Sequence, residues 1–517
     1  MSQAKHTSNV WVDPSPPTRP LLPDVVGYSI EPTWMNDYVQ SNLTTILMNE
    51  LTAMIGTPPP YRVGGTSSDQ TYVHLDQNLT SVSYPNASSL DTFNISGDWY
   101  GTWANYFPTG TDFVYTLNFG DNSSAWANAL LEAKLAHAAL GDKLKLYELG
   151  NEVDHYITED WRAPGWGVAE YVGQWRNLTE QIVATSWYRQ AKNAPRFQAA
   201  VFADPPWVPD QQNEVDDFDL VNLTRAGLID PGLIDSYAVH LYPQSTCDTE
   251  RWHRMRLDLL SNHTVLWQNV SQYAPQVAAA DAAQSPLVFG ETNSVSCSGR
   301  SGISDTFGAA LWSVDYVLMA ASLGLQKIYF HLGAQSEYSA IVPVPYYYKN
   351  ESLSAGIRAN FYAHYFLAHA LASNNSLSVA AISSANSSDL SGYGIYSGSG
   401  LQKLVFLDMG IWNGTQGLSN PSTLSTTDGT VFSNGTRGIS HMKVSTPWSP
   451  GSTINVSRLN GPGTNAKSQV NVSGLGFDPD TGAILGTRVF ETLKVGRWGL
   501  VSFDLVQAQG VLLELDQ

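Results

Sequence analysis

The stretch Leu146–Tyr156, LYELGNEVDHY, decides the fold. An apolar run stops at Gly150 and an Asn-Glu pair follows at once, as in a buried strand that ends and immediately presents polar side chains. The same behaviour recurs across the first 370 residues. Before this stretch come DVVGYSIE ending at Glu31, YRVGG ending at Gly65 and DFVYTLNFG ending at Gly120. KLYELGNE, ending at Glu152, is the fourth run. After it come RFQAAVFAD ending at Asp204, DSYAVHLYP ending at Pro243, PLVFGETNS ending at Ser294 and QKIYFHLG ending at Gly333. Helical patterning fills the intervals, over Ala125 to Leu140, Val168 to Arg189, Thr306 to Leu323 and Ala355 to Leu371. Strand alternating with helix reads as a parallel sheet, and eight strands are the number that closes a (β/α)8 TIM barrel. An open doubly wound sheet is the alternative, but it normally carries a Gly-rich phosphate turn after its first strand, and GYSIEPTW (27–34) has none.

The barrel is expected over 24–375. From Ser376 the helical period fades into short alternating runs, GYGIYSG, KLVFLDMG, HMKVST, STINVSRL and GVLLELDQ, separated by Gly, Asn, Ser and Pro. Residues 376–517 therefore read as an all-β sandwich, to which the N-terminal NVWVDPS, within 8–20, is a candidate extra strand.

With 43% hydrophobic and only 14% charged residues, the 517-residue chain can bury a large core, which argues against disorder. A formal charge of −19 leaves no basic stripe for a nucleic-acid backbone or an anionic membrane surface. No apolar run reaches membrane-spanning length. Asn-x-Ser/Thr sequons are dense, among them Asn42, Asn94, Asn177, Asn269 and Asn455, and together they predict a secreted, extracellular glycoprotein with N-linked glycans. The opening MSQAKHTSNV lacks the apolar region of a signal peptide, so the numbering is read as starting at a processed or recloned terminus. Cys247 and Cys297 are the only cysteines, and an isolated pair in an oxidising compartment can form one disulfide. The 16 Trp and 25 Tyr are mostly expected in the core, although such rings also pack on the C–H faces of sugars.

In barrels of this kind the working groups sit where strands end at the C-terminal face. Glu152 ends the fourth run and Glu291 the seventh. Four Asn-Glu pairs occur in the chain, but Asn151-Glu152 alone follows an apolar strand and a Gly; Asn49-Glu50 falls in a predicted helix, and Asn213-Glu214 and Asn350-Glu351 in polar loops. Two carboxyls meeting over one mouth are what acetal hydrolysis with retention needs, one protonated and one ionised, about 5–5.5 Å apart. Burial of Glu152 is expected to help it stay protonated. His240 and His331 also end strands, yet no HExxH or paired-Cys spacing accompanies them, so no metal and no cofactor is expected. For His240 a hydrogen-bonding structural role is expected. Asp154 and His155 either tune Glu152 or cap the next loop.

GNE ending strand four with a Glu ending strand seven resembles the glycoside hydrolases of clan A. Within it, RVGGTSSD (62–69), YELGNEVDHY (147–156) and FGETNSVSCSG (289–299) resemble family 79, the β-glucuronidase and heparanase family, and its fungal β-glucuronidases in particular. That resemblance implies Glu152 as acid/base, Glu291 as nucleophile, Asn151 as donor to the sugar 2-hydroxyl and Tyr242 as the residue orienting the nucleophile. It implies sugar contacts at Glu31 and Thr66, and a seat for the glucuronate carboxylate at Tyr338 and the 296–299 loop, including Ser296 and Ser298. His331 is a further candidate sugar contact. Where bacterial relatives place a tyrosine in that loop, this chain reads SVSCSGR. The implied activity is exo-acting removal of β-linked glucuronic acid, or its 4-O-methyl form, from a glucuronate-containing oligosaccharide or polysaccharide. The alternatives are an endo-acting heparanase-like enzyme, which the acidic balance disfavours, and a non-catalytic carbohydrate-binding barrel.

Overall fold

A computed structural model describes residues 5–14, 19–75, 92–120, 126–207, 218–348, 351–413 and 436–516. Of the Asn-Glu pairs, Asn213-Glu214 and residue Asn350 lie outside them, as do 15–18 within the stretch expected to hold the extra N-terminal strand.

Eight parallel strands close into a barrel: Val26–Ile30, Tyr61–Val63, Phe113–Leu117, Leu144–Leu149, Arg196–Phe202, Ile234–Leu241, Leu287–Thr292 and Ile328–Leu332. They are numbered one to eight below. Each coincides with one of the runs read from sequence; Glu31, Asn151, Glu152 and Tyr242 lie just past the ends of their strands, whereas His240, Glu291 and His331 stand within the C-terminal ends of theirs. The long helices Asn42–Ile55, Ala127–Leu140, Val168–Ala184, Phe307–Leu323 and Ala359–Leu371 wrap the outside. Helix Phe307–Leu323 is buried along most of its length, because it packs on the barrel and on helix Ala359–Leu371 and strand Leu377–Ala381 as well. No described helix is long and apolar enough to cross a membrane.

Register organises the barrel interior into polar layers, since parallel strands place partners at one height. Thr116, Glu148, Gln198 and Ser236 are successive partners on strands three to six. On the neighbouring strands, His331 lies beside Ser29 and Ser29 beside Arg62. Strand seven carries a bulge: Phe289 pairs with Val239 and Glu291 with the next residue, His240, leaving Gly290 as the extra residue. A Cβ at Gly290 would sit 2.8 Å from that of Ala238, so the bulge needs glycine. A bulge re-aims the side chain that follows it, and here that side chain is Glu291.

The chain after the barrel forms two β-sheets around a second core. One sheet contains Leu377–Ala381, Leu390–Ser397, Gly400–Asp408, Gln509–Leu515, Thr453–Asn460 and Asn471–Val472 in that order. The other has three strands: Lys5–Trp11 pairs in parallel with Ile439–Ser445, which pairs with Leu500–Val506. Val10, Phe406, Val444, Val501, Val511 and Leu513 pack between them. The N-terminal strand thus starts at Lys5 rather than within 8–20 and ends at Trp11.

Candidate active site

Glu152 and Glu291 meet over the barrel mouth. A carboxylate oxygen from each, together with a ring nitrogen of His240, all lie within 4.8 Å of one another. Glu291 is buried and fully engaged. Its Oε1 accepts from the Tyr242 hydroxyl at 2.6 Å and its Oε2 from the Arg62 guanidinium at 2.6 Å, with His331 Nδ1 3.4 Å away. Burial works against its charge, but His331, His240 and Arg62 hold its pKa below the usual carboxylate value. It is ionised, as a nucleophile must be.

Arg62 ties the site together. Fully buried, it donates to Glu148 Oε2 at 2.7 Å, Ser29 Oγ at 3.2 Å, Glu291 Oε2 and Asn151 Oδ1 at 2.9 Å. Glu148 in turn accepts from Thr116 at 2.6 Å and from Gln198. A guanidinium supplies five donors in a rigid fork, so one cation serves four acceptors from three strands or their loops. Because Arg62 occupies Asn151 Oδ1, and Asn151 N donates to Asp69 at 2.8 Å, the amide NH2 of Asn151 is the group left for a ligand.

Glu152 sits just past strand four in the left-handed region, at φ 50°, a backbone conformation that non-glycine residues adopt rarely and mostly at functional sites. Its Oε1 is 3.0 Å from His240 Nδ1 and its Oε2 3.8 Å from His155 Nδ1. The expectation that burial keeps Glu152 protonated is corrected here. Burial does raise its pKa, but the His240 hydrogen bond, with the charges of His240, His155 and Arg62, lowers it further, and the net shift is downward. His240 Nε2 is buried with no partner among the described residues. Protonating Oε1 against Nδ1 would move the imidazole proton to Nε2, where a buried N–H would find no acceptor. His240 is therefore a positioning residue for Glu152, beyond the structural role read from sequence. Asp154 and His155 fill both of their expected roles: Asp154 accepts from the backbone N of Ala203 and Asp204, and His155 bridges Glu152 to Asp204.

The remaining candidates divide. Glu31 accepts from the backbone and hydroxyl of Ser67. Burial, with the nearby Glu291 charge, outweighs Ser67 and pushes its pKa up to about 7. His331 donates to or accepts from Ser29 at 3.0 Å, and its ring lies 6.0 Å from that of Tyr338, which is 6.2 Å from Tyr242. Thr66 is exposed at the loop rim, whereas its neighbour Ser67 reaches Glu31. The Ser296 hydroxyl is occupied by Ser245 at 2.7 Å. Cys297 is bonded to Cys247, with Cα atoms 6.3 Å apart. Cys297, Ser298 and Gly299 are all left-handed, and the Ser298 carbonyl accepts from Glu337 N at 2.7 Å. The bridge closes a loop of 50 residues, which the chain-entropy model values at about 4 kcal/mol.

Residues 392–512 match the Glycosyl hydrolase family 79 C-terminal beta domain. Over that stretch the chain is similar to glycoside hydrolase family 79. Among curated proteins, the chain is 29% identical over 82% of its length to a beta-glucuronidase of Neurospora crassa, 79% of which is covered. It is 26% identical over 99% of its length to a beta-glucuronidase of Aspergillus niger, 95% of which is covered. Among solved structures, a 4-O-alpha-L-rhamnosyl-beta-D-glucuronidase from Fusarium oxysporum superposes over 98% of the chain and 100% of its own, with TM-score 0.77 and 22% identity. A GH39 enzyme from Xanthomonas axonopodis pv. citri shares the fold at TM-score 0.54 and 15% identity, over 100% of this chain and 98% of its own.

The network around Arg62 and His240 was not read from sequence. The available signal was an arginine in an otherwise apolar barrel strand, since a buried guanidinium must find carboxylates. A test of His240 follows from its contact with Glu152. His240→Phe removes the donor that lowers the Glu152 pKa, so Glu152 keeps its proton to higher pH. The alkaline limb of the kcat/KM profile is expected to move upward, and an unmoved limb assigns His240 no part in tuning Glu152.

Proposed function

We propose that the chain is a retaining exo-β-glucuronidase acting by double displacement on terminal β-linked glucuronic acid or its 4-O-methyl form. The observation that carries this reading is the carboxylate pair within 4.8 Å. That spacing fits direct attack on the anomeric carbon, because an inverting pair needs about 6.5–9.5 Å to admit a water. Glu291 would attack C1 while Glu152 protonates the departing oxygen; Glu152 would then deprotonate the water that releases the sugar. Asn151 would donate its amide to the 2-hydroxyl, and Tyr242 and Arg62 would aim the nucleophile.

Both carboxyls are held ionised in the free site, so the singly protonated pair is populated only as pH falls. Activity should accordingly lie on the acid side of neutrality. There Glu31, with its pKa of about 7, carries a proton and adds no charge against an incoming uronate. For the uronate carboxylate the nearest candidates are the Tyr338 hydroxyl and the 296–299 backbone, donors that carry no formal charge and that a net-negative protein can still supply. The 26–29% identity to fungal beta-glucuronidases supports the same substrate class.

An aryl β-glucuronide tests the reading. It should be hydrolysed faster than the matching β-glucoside; equal rates would discard the carboxylate seat, and no turnover of either would return the chain to a sugar-binding barrel. Glu152→Ala should lower kcat/KM on a poorly activated glycoside by roughly 10²–10⁴-fold. The loss should be much smaller on a good aryl leaving group, which needs little protonation.

We also infer that the chain is a secreted glycoprotein. Asn177 and Asn455 are exposed, whereas Asn269 is 5% exposed with its Oδ1 accepting from Arg254. Glycopeptide mapping of the protein from a eukaryotic host is expected to find sugar on Asn177 and Asn455 and none on Asn269. Occupancy confined to Asn269 would contradict the burial argument.

A further inference from the structure

Folding accounts for most of the tryptophans, such as Trp99, Trp103, Trp175 and Trp312, which are fully buried. It does not account for Trp11 and Trp498, which are 70% and 88% exposed. Both stand at one end of the three-stranded sheet of the C-terminal domain. Trp11 is the register partner of Ser445, and Ser445 of Leu500, so the three share one face. That face is the outward one, because Val10, Val444 and Val501, one residue away on each strand, enter the core. Trp498 lies two residues before Leu500, in the turn Arg497–Gly499.

The backbone holds both rings out. Trp498 is left-handed at φ 58°, a real strain for a bulky side chain that gains no burial in return. The turn is fixed from beneath: Thr446 N and Oγ1 both donate to the Gly499 carbonyl, at 3.0 and 2.8 Å. A Cβ at Gly499 would strike the Thr446 carbonyl. Trp11 is clamped by one hydroxyl, with its N donating to Ser384 Oγ at 3.0 Å and Ser384 Oγ donating to its carbonyl at 3.1 Å.

Two cations border the rings. Lys443 occupies the next outward row, between Asn9 and Ser502, and Arg497 adjoins Trp498. Both are exposed and neither has a partner among the described residues. In a chain with 27 basic against 46 acidic side chains, unpaired cations beside exposed aromatic faces form a locally complementary site for an anion with apolar faces. A depression of about 560 Å³ continues along the same sheet past Thr7, Lys443 and Ser502, and its two carboxylates, Asp504 and Glu491, are paired with His441 and Arg458.

We propose that this face binds a uronate-bearing polysaccharide chain, with sugar rings stacked on Trp11 and Trp498 and their carboxylates on Lys443 and Arg497. Pyranose rings offer C–H faces to indole, and carboxylates offer the counter-charge. From Trp11 to Leu500 is two strand spacings, about 10 Å, and Trp498 lies two residues before Leu500, a separation on the scale of a short oligosaccharide. A second copy of the chain fits less well, since self-pairing would set Lys443 and Arg497 against their own kind. The choice of glycan rests on the glucuronidase reading; the site itself does not.

The test is affinity electrophoresis through soluble 4-O-methylglucuronoxylan, beside gels containing neutral arabinoxylan. The full chain is run as Glu291→Gln so that the probe is not consumed, with free glucuronate present to fill the active site. Glucuronoxylan should retard the protein. Adding Trp11→Ala and Trp498→Ala should weaken retention about tenfold, as two lost stacking contacts of ordinary strength would. Lys443→Ala with Arg497→Ala should remove the preference over arabinoxylan. In the otherwise native chain, Trp498→Gly should lose retention yet melt no lower, because glycine relieves the left-handed strain, and its turnover of an aryl glucuronide should be unchanged. Unaltered retention in the double tryptophan variant overturns the proposal, as does a change in sedimentation without a change in retention. Failure of the native chain to cleave aryl glucuronide would instead count against the catalytic reading while leaving the gel result intact.

Discussion

Glu291→Gly is expected to lose turnover of an aryl β-glucuronide by several orders of magnitude, and azide is expected to restore phenol release with an α-glucuronyl azide as product. The expectation rests on what Glu291 does in the site. It is the carboxylate aimed by the Gly290 bulge, accepting from Tyr242 on one oxygen and Arg62 on the other, and kept ionised by the positive groups around it. Removing it leaves a gap on the α face of the sugar, where a small anion can attack C1 while Glu152 still assists departure. Product configuration is the discriminating measurement, read by NMR. Rescue with inversion in Glu31→Gly or Glu148→Gly, and none in Glu291→Gly, would transfer the role to another carboxylate.

Arg62→Met should be the most disruptive substitution outside the two carboxylates. Met matches the length but removes a buried cation that faces Glu148 and Glu291 together. Breaking a buried pair by deleting one partner typically costs about 3–5 kcal/mol, because the orphaned charge stays desolvated. The midpoint of chemical denaturation should fall accordingly. Activity should change in a defined direction as well. Without Arg62 one of the groups lowering the Glu291 pKa is gone, so that pKa rises and the acid limb of kcat/KM moves to higher pH. Arg62→Lys restores charge without the fork and should recover part of the stability while leaving Asn151 poorly held. A parent-like denaturation midpoint and an unmoved acid limb in Arg62→Met would refute this account.

The strands and both carboxylates were legible because each barrel strand is an apolar run cut by Gly or a polar residue, and because Glu152 and Glu291 stand at such cuts. What was not legible depended on convergence between distant parts of the chain. Arg62 meets Glu291 across 229 positions and His240 meets Glu152 across 88, separations that no local pattern encodes. The direction of the Glu152 shift was misjudged for that reason, since burial was weighed without the donor that opposes it. Ser67, the neighbour of the candidate Thr66, was not read from sequence, although its N–H and hydroxyl reach Glu31. In the tail, Leu377–Ala381 and Leu500–Val506 were not anticipated. The first abuts the last barrel helix; the second, LVSFDLV, alternates apolar and polar from Val501 to Leu505 with burial to match, so its strand signal was present in the sequence.

Strand Lys5–Trp11 precedes the barrel in the chain, yet its hydrogen-bonding neighbour is Ile439–Ser445, beyond the barrel. During synthesis this segment therefore waits, with its ladder groups unmatched, until the whole barrel and Ile439–Ser445 have left the ribosome. Val10, which it buries in the trailing domain's interior, stays wet for the same interval. A barrel expressed alone would keep this strand as a sticky orphan, and a trailing domain expressed alone would lack one of its staves, so the two halves mature as a single cooperative unit.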